Sequence, residues 1–147
     1  AGPAGADGQP ADRNVHVSTF MGGQDSSIGL ADGRTLVMNK EADDTDIRVT
    51  YFDHLSASNE GEACVCTWEV LFNGQSCATP GSVMGVLVAN VQNLESKEVQ
   101  GWCSGLAAGE LTLTVNVSRT ADNCLCETGF FSDLTGYLEA EELTIAE

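Results

Sequence analysis

From Asn14 onward, apolar and polar side chains alternate with a period of two. Val15, Val17 and Thr19 interleave with Asn14, His16 and Ser18. Comparable short runs cover Thr35–Met38, Asp46–Phe52, Val65–Phe72, Ser82–Ala89, Leu111–Val117 and Gly136–Leu143. Successive side chains of a strand point to opposite faces, so this alternation predicts strands with one buried side. Val, Ile and Thr supply 28 residues, and their branched side chains suit a pleated sheet. Turn signals separate the runs: Met21 to Asp25, Asp32-Gly33, Asn73-Gly74, Thr79-Pro80-Gly81 and Ala108-Gly109. Short strands at such spacing predict an all-β antiparallel sandwich or barrel. Leu94–Gln100 fits a strand and a helical turn equally well, and no long stretch holds a 3.6-residue period.

A chain of 147 residues makes one domain, and its 42% hydrophobic content is enough to bury a core. The formal charge of −16 argues against nucleic-acid partners, which need clustered Lys and Arg, and against anionic membrane surfaces. The sequence contains no apolar run long enough to insert into a membrane. Its first residues lack the basic start and apolar run of a secretory leader, so a secreted chain would be present here in processed or truncated form. Acidic residues cluster at Glu41–Asp46, at Glu60-Gly61-Glu62 and near the C-terminal end.

The opening residues follow another rule. Gly2-Pro3-Ala4, Gly5-Ala6-Asp7 and Gly8-Gln9-Pro10 are three consecutive Gly-X-Y triplets. Only Gly fits the axis of a collagen triple helix, and Pro10 occupies a Y position, where collagen often carries hydroxyproline. The period breaks at Ala11-Asp12-Arg13, which divides the chain into a collagen-like stub, residues 1–10, and a globular domain, residues 11–147. A flexible leader of similar composition is the alternative.

Between Asp46 and Cys77 a family resemblance emerges. Ile47-Arg48-Val49-Thr50-Tyr51 is followed by Cys64-Val65-Cys66 and by Thr67-Trp68-Glu69-Val70-Leu71-Phe72-Asn73-Gly74-Gln75-Ser76-Cys77. Further on come Gly101-Trp102-Cys103-Ser104-Gly105-Leu106-Ala107-Ala108-Gly109 and a closing strand from Gly136-Tyr137-Leu138 to Glu141-Glu142-Leu143. Together these resemble the C-terminal domain of the collagen triple helix repeat-containing protein family, over roughly residues 26 to 144. The Gly-X-Y triplets sit where that family's collagen stretch would end. The resemblance implies a secreted, homotrimeric protein with a C1q/TNF-like antiparallel jelly roll. This chain departs from the family in having no cysteine before the Ile-Arg-Val strand.

Six cysteines, an even count, read as three disulfides in a secreted chain, with 15 pairings available. Cys64 and Cys66 are two apart on a predicted strand and face one side, and Cys124 and Cys126 repeat the arrangement. Adjacent bridges between the two pairs would leave Cys77 for Cys103. Free thiols, metal binding and bridges between protomers remain open alternatives. Asn116-Val117-Ser118 is the one N-glycosylation sequon, and Asn116 should face away from the apolar Val115 and Val117. Glu41, Asp43, Asp44 and Asp46 carry oxygen ligands of the type calcium takes, although no EF-hand pattern is present; a solvated acidic loop is the plainer reading. No other cofactor is expected.

Nothing in the sequence points to catalysis. Neither His16 nor His54 belongs to a catalytic motif, and Asp53 and His54, as neighbours on a strand, point to opposite faces. Trp68, Trp102, Phe72, Phe130, Phe131 and Tyr137 read as core or interface aromatics. By analogy to the fold, Trp68, Tyr137 and Leu138 are the candidate trimer-interface residues. The expectation is a non-enzymatic, extracellular structural or adhesive component, a trimeric head that nucleates or caps a collagen helix and associates with itself, further into filaments as one variant. A soluble trimeric signalling ligand and a calcium-dependent C1q-type recognition head, with a protein or glycan partner, are the alternatives.

Overall fold

The computed structural model describes residues 13–21, 25–59, 63–130 and 134–144. The Gly-X-Y triplets and Pro10 lie outside the described residues. Among the described residues nine strands run in chain order: β1 (Val15–Met21), β2 (Gly29–Lys40), β3 (Thr45–Ser58), β4 (Cys64–Phe72), β5 (Val83–Ala89), β6 (Gln92–Cys103), β7 (Gly109–Arg119), β8 (Leu125–Thr128) and β9 (Thr135–Thr144). Among the described residues every regular element is a strand.

The strands form two antiparallel sheets packed as a jelly-roll sandwich. One has the order β1-β9-β3-β6, and β8 continues the β9 side of β3: Tyr137 pairs with Phe52, and Thr128 pairs with Leu55. The other has the order β2-β7-β4-β5. The period-two alternation fixes which side of each strand is dry. In β3 it turns Ile47, Val49, Tyr51, Leu55 and Ala57 inward; in β7 it does the same for Leu111, Leu113, Val115 and Val117. Trp68 fills the centre with no exposed surface, and its Nε1–H donates to the hydroxyl of Thr128 in the opposite sheet at 2.8 Å. A buried indole N–H left without such a partner would carry a desolvation cost.

One sequence expectation is revised and one open reading is decided. The Asp32-Gly33 turn is a register irregularity within β2, between Leu30 and Thr35, with Gly33 at φ 75°. The 94–100 segment belongs to β6, an edge strand. The Asn73-Gly74 turn forms as read: both residues have positive φ, and Phe72 and Gln75 exchange backbone hydrogen bonds, as a two-residue hairpin turn requires.

Cys64 bonds Cys124, Cys66 bonds Cys126 and Cys77 bonds Cys103. The first two tie β4 to the β8 segment across the sandwich; the third ties the loop after β4 to the end of β6. A bridge stabilises chiefly by restricting the unfolded chain, more so for a longer loop. The twin bridges each span 60 residues, but once one is closed the other adds only a ring of a few residues. Loop entropy therefore predicts an asymmetry. Deleting one twin bridge (Cys66→Ala with Cys126→Ala) should lower the thermal midpoint less than deleting the 26-residue Cys77–Cys103 bridge, which is worth about 3 kcal/mol. Deleting both twins should cost most. Calorimetry of the three variants checks the order.

Candidate functional site

The outer face of the β1-β9-β3-β6 sheet gathers Tyr137, Trp102, Phe52 and charged side chains of β3, β6 and β9. On β9 the alternation sends Leu138 and Ala140 into the core and Tyr137, Glu139 and Glu141 outward. Cross-strand register then builds rows. Tyr137 lies opposite Phe52, and the two rings stack with centroids 5.6 Å apart. Phe52 meets Glu98 of β6 across the other side. Burial, then the charges of Glu98 and Glu139 and a hydrogen bond to Glu98, raise the Tyr137 phenol above its ordinary value. In the next rows Glu141 faces Arg48 and Arg48 faces Trp102. The Glu141 carboxylate is gripped by Arg13 and Arg48 at 2.5–2.6 Å, and these hydrogen bonds, Arg13's first, hold it below the usual carboxylate range against the effect of burial. Apolar side chains stand at both margins: Val17 and Met21 on β1, 54% and 66% exposed, and Trp102 on β6, 51% exposed. Trp102, Arg48, Gln100 and Gly101 line a shallow cleft.

Beneath this face sits a buried ion pair that the sequence did not signal. Asp53 points inward, receives Nε of Arg34 at 2.9 Å and Nη2 at 3.3 Å, and accepts from the Tyr51 hydroxyl at 2.6 Å and from the His54 N–H at 2.9 Å. The Arg34 guanidinium also lies over the Phe20 ring at 4.4 Å. Burial first, then the Asp53 charge, pushes the Tyr51 phenol well up, which keeps it a donor. Gly136 permits this packing, because a Cβ there would come within 2.6 Å of Phe20 and 2.7 Å of the Phe52 carbonyl oxygen. His54 turns the other way, its Nδ1 2.7 Å from the Ser96 hydroxyl and its Nε2 donating to the Thr135 carbonyl at 3.3 Å. It lies inside β3 and is buried. His16 is half-buried and donates to Asn14 Oδ1 at 2.7 Å. Asp53 and His54 therefore serve separate structural contacts.

At one pole, Glu142 organises the acidic loop. Its carboxylate accepts from Asn14 Nδ2 at 2.7 Å, from the backbone N–H groups of Glu41 and Ala42 at 2.8–3.1 Å, and from the Thr45 hydroxyl. Burial alone would raise its pKa, but these donors outweigh it and bring Glu142 to about 2.

The remaining sequence candidates fall in three places. Trp68 and Leu138 have no exposed surface within one protomer, so the expected interface role is corrected for both; only Tyr137 of that trio reaches the outer face. The carboxylates of Glu41, Asp43, Asp44 and Asp46 do not converge on one point. Asp43 caps the Ala108 N–H at 2.8 Å, and among the described residues no three carboxylates bring ligand oxygens within 4.8 Å of one another. The one convergent group, Cys66, Cys124 and Cys126, is committed to the twin disulfides. Asn116 faces away from Val115 and Val117, half-buried on the outer side of β7. Phe72 is a core residue and Phe131 lies outside the described residues.

The ionisation of Glu142 has a testable consequence. Its folded pKa lies below the ordinary 4.5, so its contribution to stability is present above that value and is lost as pH falls towards 2. Glu141 shifts the same way. Glu142→Gln should lower the unfolding midpoint at pH 7 and flatten, without abolishing, the loss of stability between pH 4.5 and 2. Urea titrations at a series of pH values check it.

No curated protein matches the sequence. Among solved structures, dimeric latent PorU from Porphyromonas gingivalis is similar at a TM-score of 0.47 and 11% identity, over 90% of this chain; the chain spans only 13% of that protein's length. The family model described as CTHRC1, C-terminal domain, matches residues 21–135, from β1 to the start of β9. The chain belongs to the CTHRC1 C-terminal domain family.

Proposed function

We propose that this domain is the extracellular head of a homotrimeric structural or adhesive protein and acts by association rather than by chemistry. Three disulfides support a life in an oxidising compartment. The observation that carries assembly is the β1-β9-β3-β6 face: a stacked aromatic centre with apolar side chains on its two opposite edge strands, Val17 and Met21 on β1 and Trp102 on β6. A closed ring needs unlike patches that meet head to tail. The two margins of this sheet are unlike and lie at opposite ends, so one protomer's β1 edge can meet the next protomer's β6 edge about a three-fold axis. Three aligned heads would raise the local concentration of the segments preceding them, which is what a collagen helix needs to nucleate. Family membership supports the same reading.

Light scattering on native, unreduced protein should give three times the chain mass, and Trp102→Glu should give a folded monomer. A wild-type monomer at all concentrations would remove the proposal. A compact trimer that binds cell-surface protein would point to the signalling alternative. Asn116 is proposed as the glycan acceptor of an otherwise uncharged strand segment, Leu111 to Ser118. Enzymatic deglycosylation of secreted protein should remove one glycan's mass, and Asn116→Gln should abolish that shift.

A further inference from the structure

β5 is the outer strand of the second sheet, packed beside β6 at the same margin of the sandwich as Trp102. An edge strand offers unpaired N–H and C=O groups to any other strand, and folded proteins guard such edges with charges, bulges or short length. The other edges here are guarded or already assigned. β2 carries the irregularity at Leu30–Thr35 together with Asp32, Arg34 and Lys40; β6 carries Glu95, Lys97 and Glu98; β8 has four residues; β1 belongs to the proposed trimer face.

β5 has none of these devices. Val83–Ala89 has no charge and no proline, and Met84, Val86 and Val88 stand exposed on its outer side. It pairs with β4 alone among the described residues. It also sits within a stretch, Val70 to Leu94, that contains no Asp, Glu, Lys or Arg, in a chain of net charge −16. The sheet surface beside it is almost as neutral, with Val65, Thr67 and Leu71 of β4 around a single charge, Glu69. The nearest cation, Lys97, whose stem covers Gly85, is balanced by Glu95 at 3.9 Å. Two copies so acidic repel wherever their charged surfaces meet. β5 is the edge on which they can meet without opposing like charges.

We infer that two copies of this chain join β5 to β5, antiparallel, into one continuous eight-stranded sheet. The strand is complementary to itself about Val86. With Val86 opposite Val86, Met84 of one copy faces Val88 of the other on the outer side, and Gly85 faces Leu87 on the inner side. Every cross-strand pair is then apolar, the kind of pair that stabilises an antiparallel ladder. The contact is small, so it is weak alone and gains strength when each particle carries several copies of it. It does not require the trimer; with the trimer, it links heads laterally.

The test is mass against concentration, by sedimentation, for four proteins: wild type, Val86→Lys, Met84→Lys and the trimer-breaking Trp102→Glu. The two β5 substitutions fall on exposed side chains, and unchanged circular dichroism shows that the fold is kept. The expected result is that wild type doubles its smallest particle mass as concentration rises, that both β5 variants lose this doubling, and that Trp102→Glu still dimerises. Amide exchange in β5 should slow with concentration in wild type and Trp102→Glu, and in neither β5 variant. Failure of the trimer alone would appear as a monomer–dimer equilibrium. A wild type whose mass never doubles at millimolar concentration, or a doubling that survives both β5 substitutions, overturns the inference.

Discussion

The two sheets stay registered because directional bonds join them across the sandwich. Where β4 passes β8, two adjacent disulfides cross the sandwich, and the Trp68 indole donates to Thr128 beside them. Elsewhere the sheets meet through the buried Arg34–Asp53 pair, the Cys77–Cys103 bridge and apolar packing, the last of which is strong but does not choose a register on its own. Directional bonds at these stations fix the offset of one sheet against the other. The outer faces inherit their arrangement from that offset, including the Tyr137–Phe52 stack and the opposite placement of Val17 and Trp102.

What the sequence reveals depends on how local the cause is. β3, β4, β7 and β9 are legible because each has one wet and one dry face, and the alternation reports it. β6 is harder to read: as an edge strand it exposes Glu95, Ser96, Glu98 and Gln100, so the alternation is diluted. β8 has only four residues, too few for a period to register. The jelly roll and the family were reached through longer motifs, above all Phe72-Asn73-Gly74 with Cys77 behind it. The Arg34–Asp53 pair joins residues 19 apart through the fold, and nothing near either residue announces it. The assignment of Trp68 and Leu138 to an interface shows the opposite error. Their large apolar side chains suit a core and a contact surface equally, and the parity of the strand relative to the sandwich decides between them.

The distribution of charge separates the two faces of the molecule. On the β1-β9-β3-β6 side, acidic groups are woven into contacts: Glu141 between two arginines, Glu142 on backbone amides, Glu98 on Tyr137. On the β4–β5 side they are almost missing. An acidic chain that leaves one sheet edge neutral has confined its self-repulsion to the remainder of its surface, and that gives solubility and directed contact different addresses on the same domain.

The Glu142 N–H donates to the Asn14 carbonyl at 3.0 Å, so the two ends of the described body emerge side by side, at one end of the β1–β9 pair. That geometry sets how the domain responds to mechanical load. Tension that pulls those ends apart opens β1 from β9 like a zipper, breaking hydrogen bonds in succession, which takes little force. The unravelling meets a firm stop at Cys64 and Cys126, because the chain between them is clamped by bridges and cannot lengthen. A domain of this kind yields softly at first and then holds.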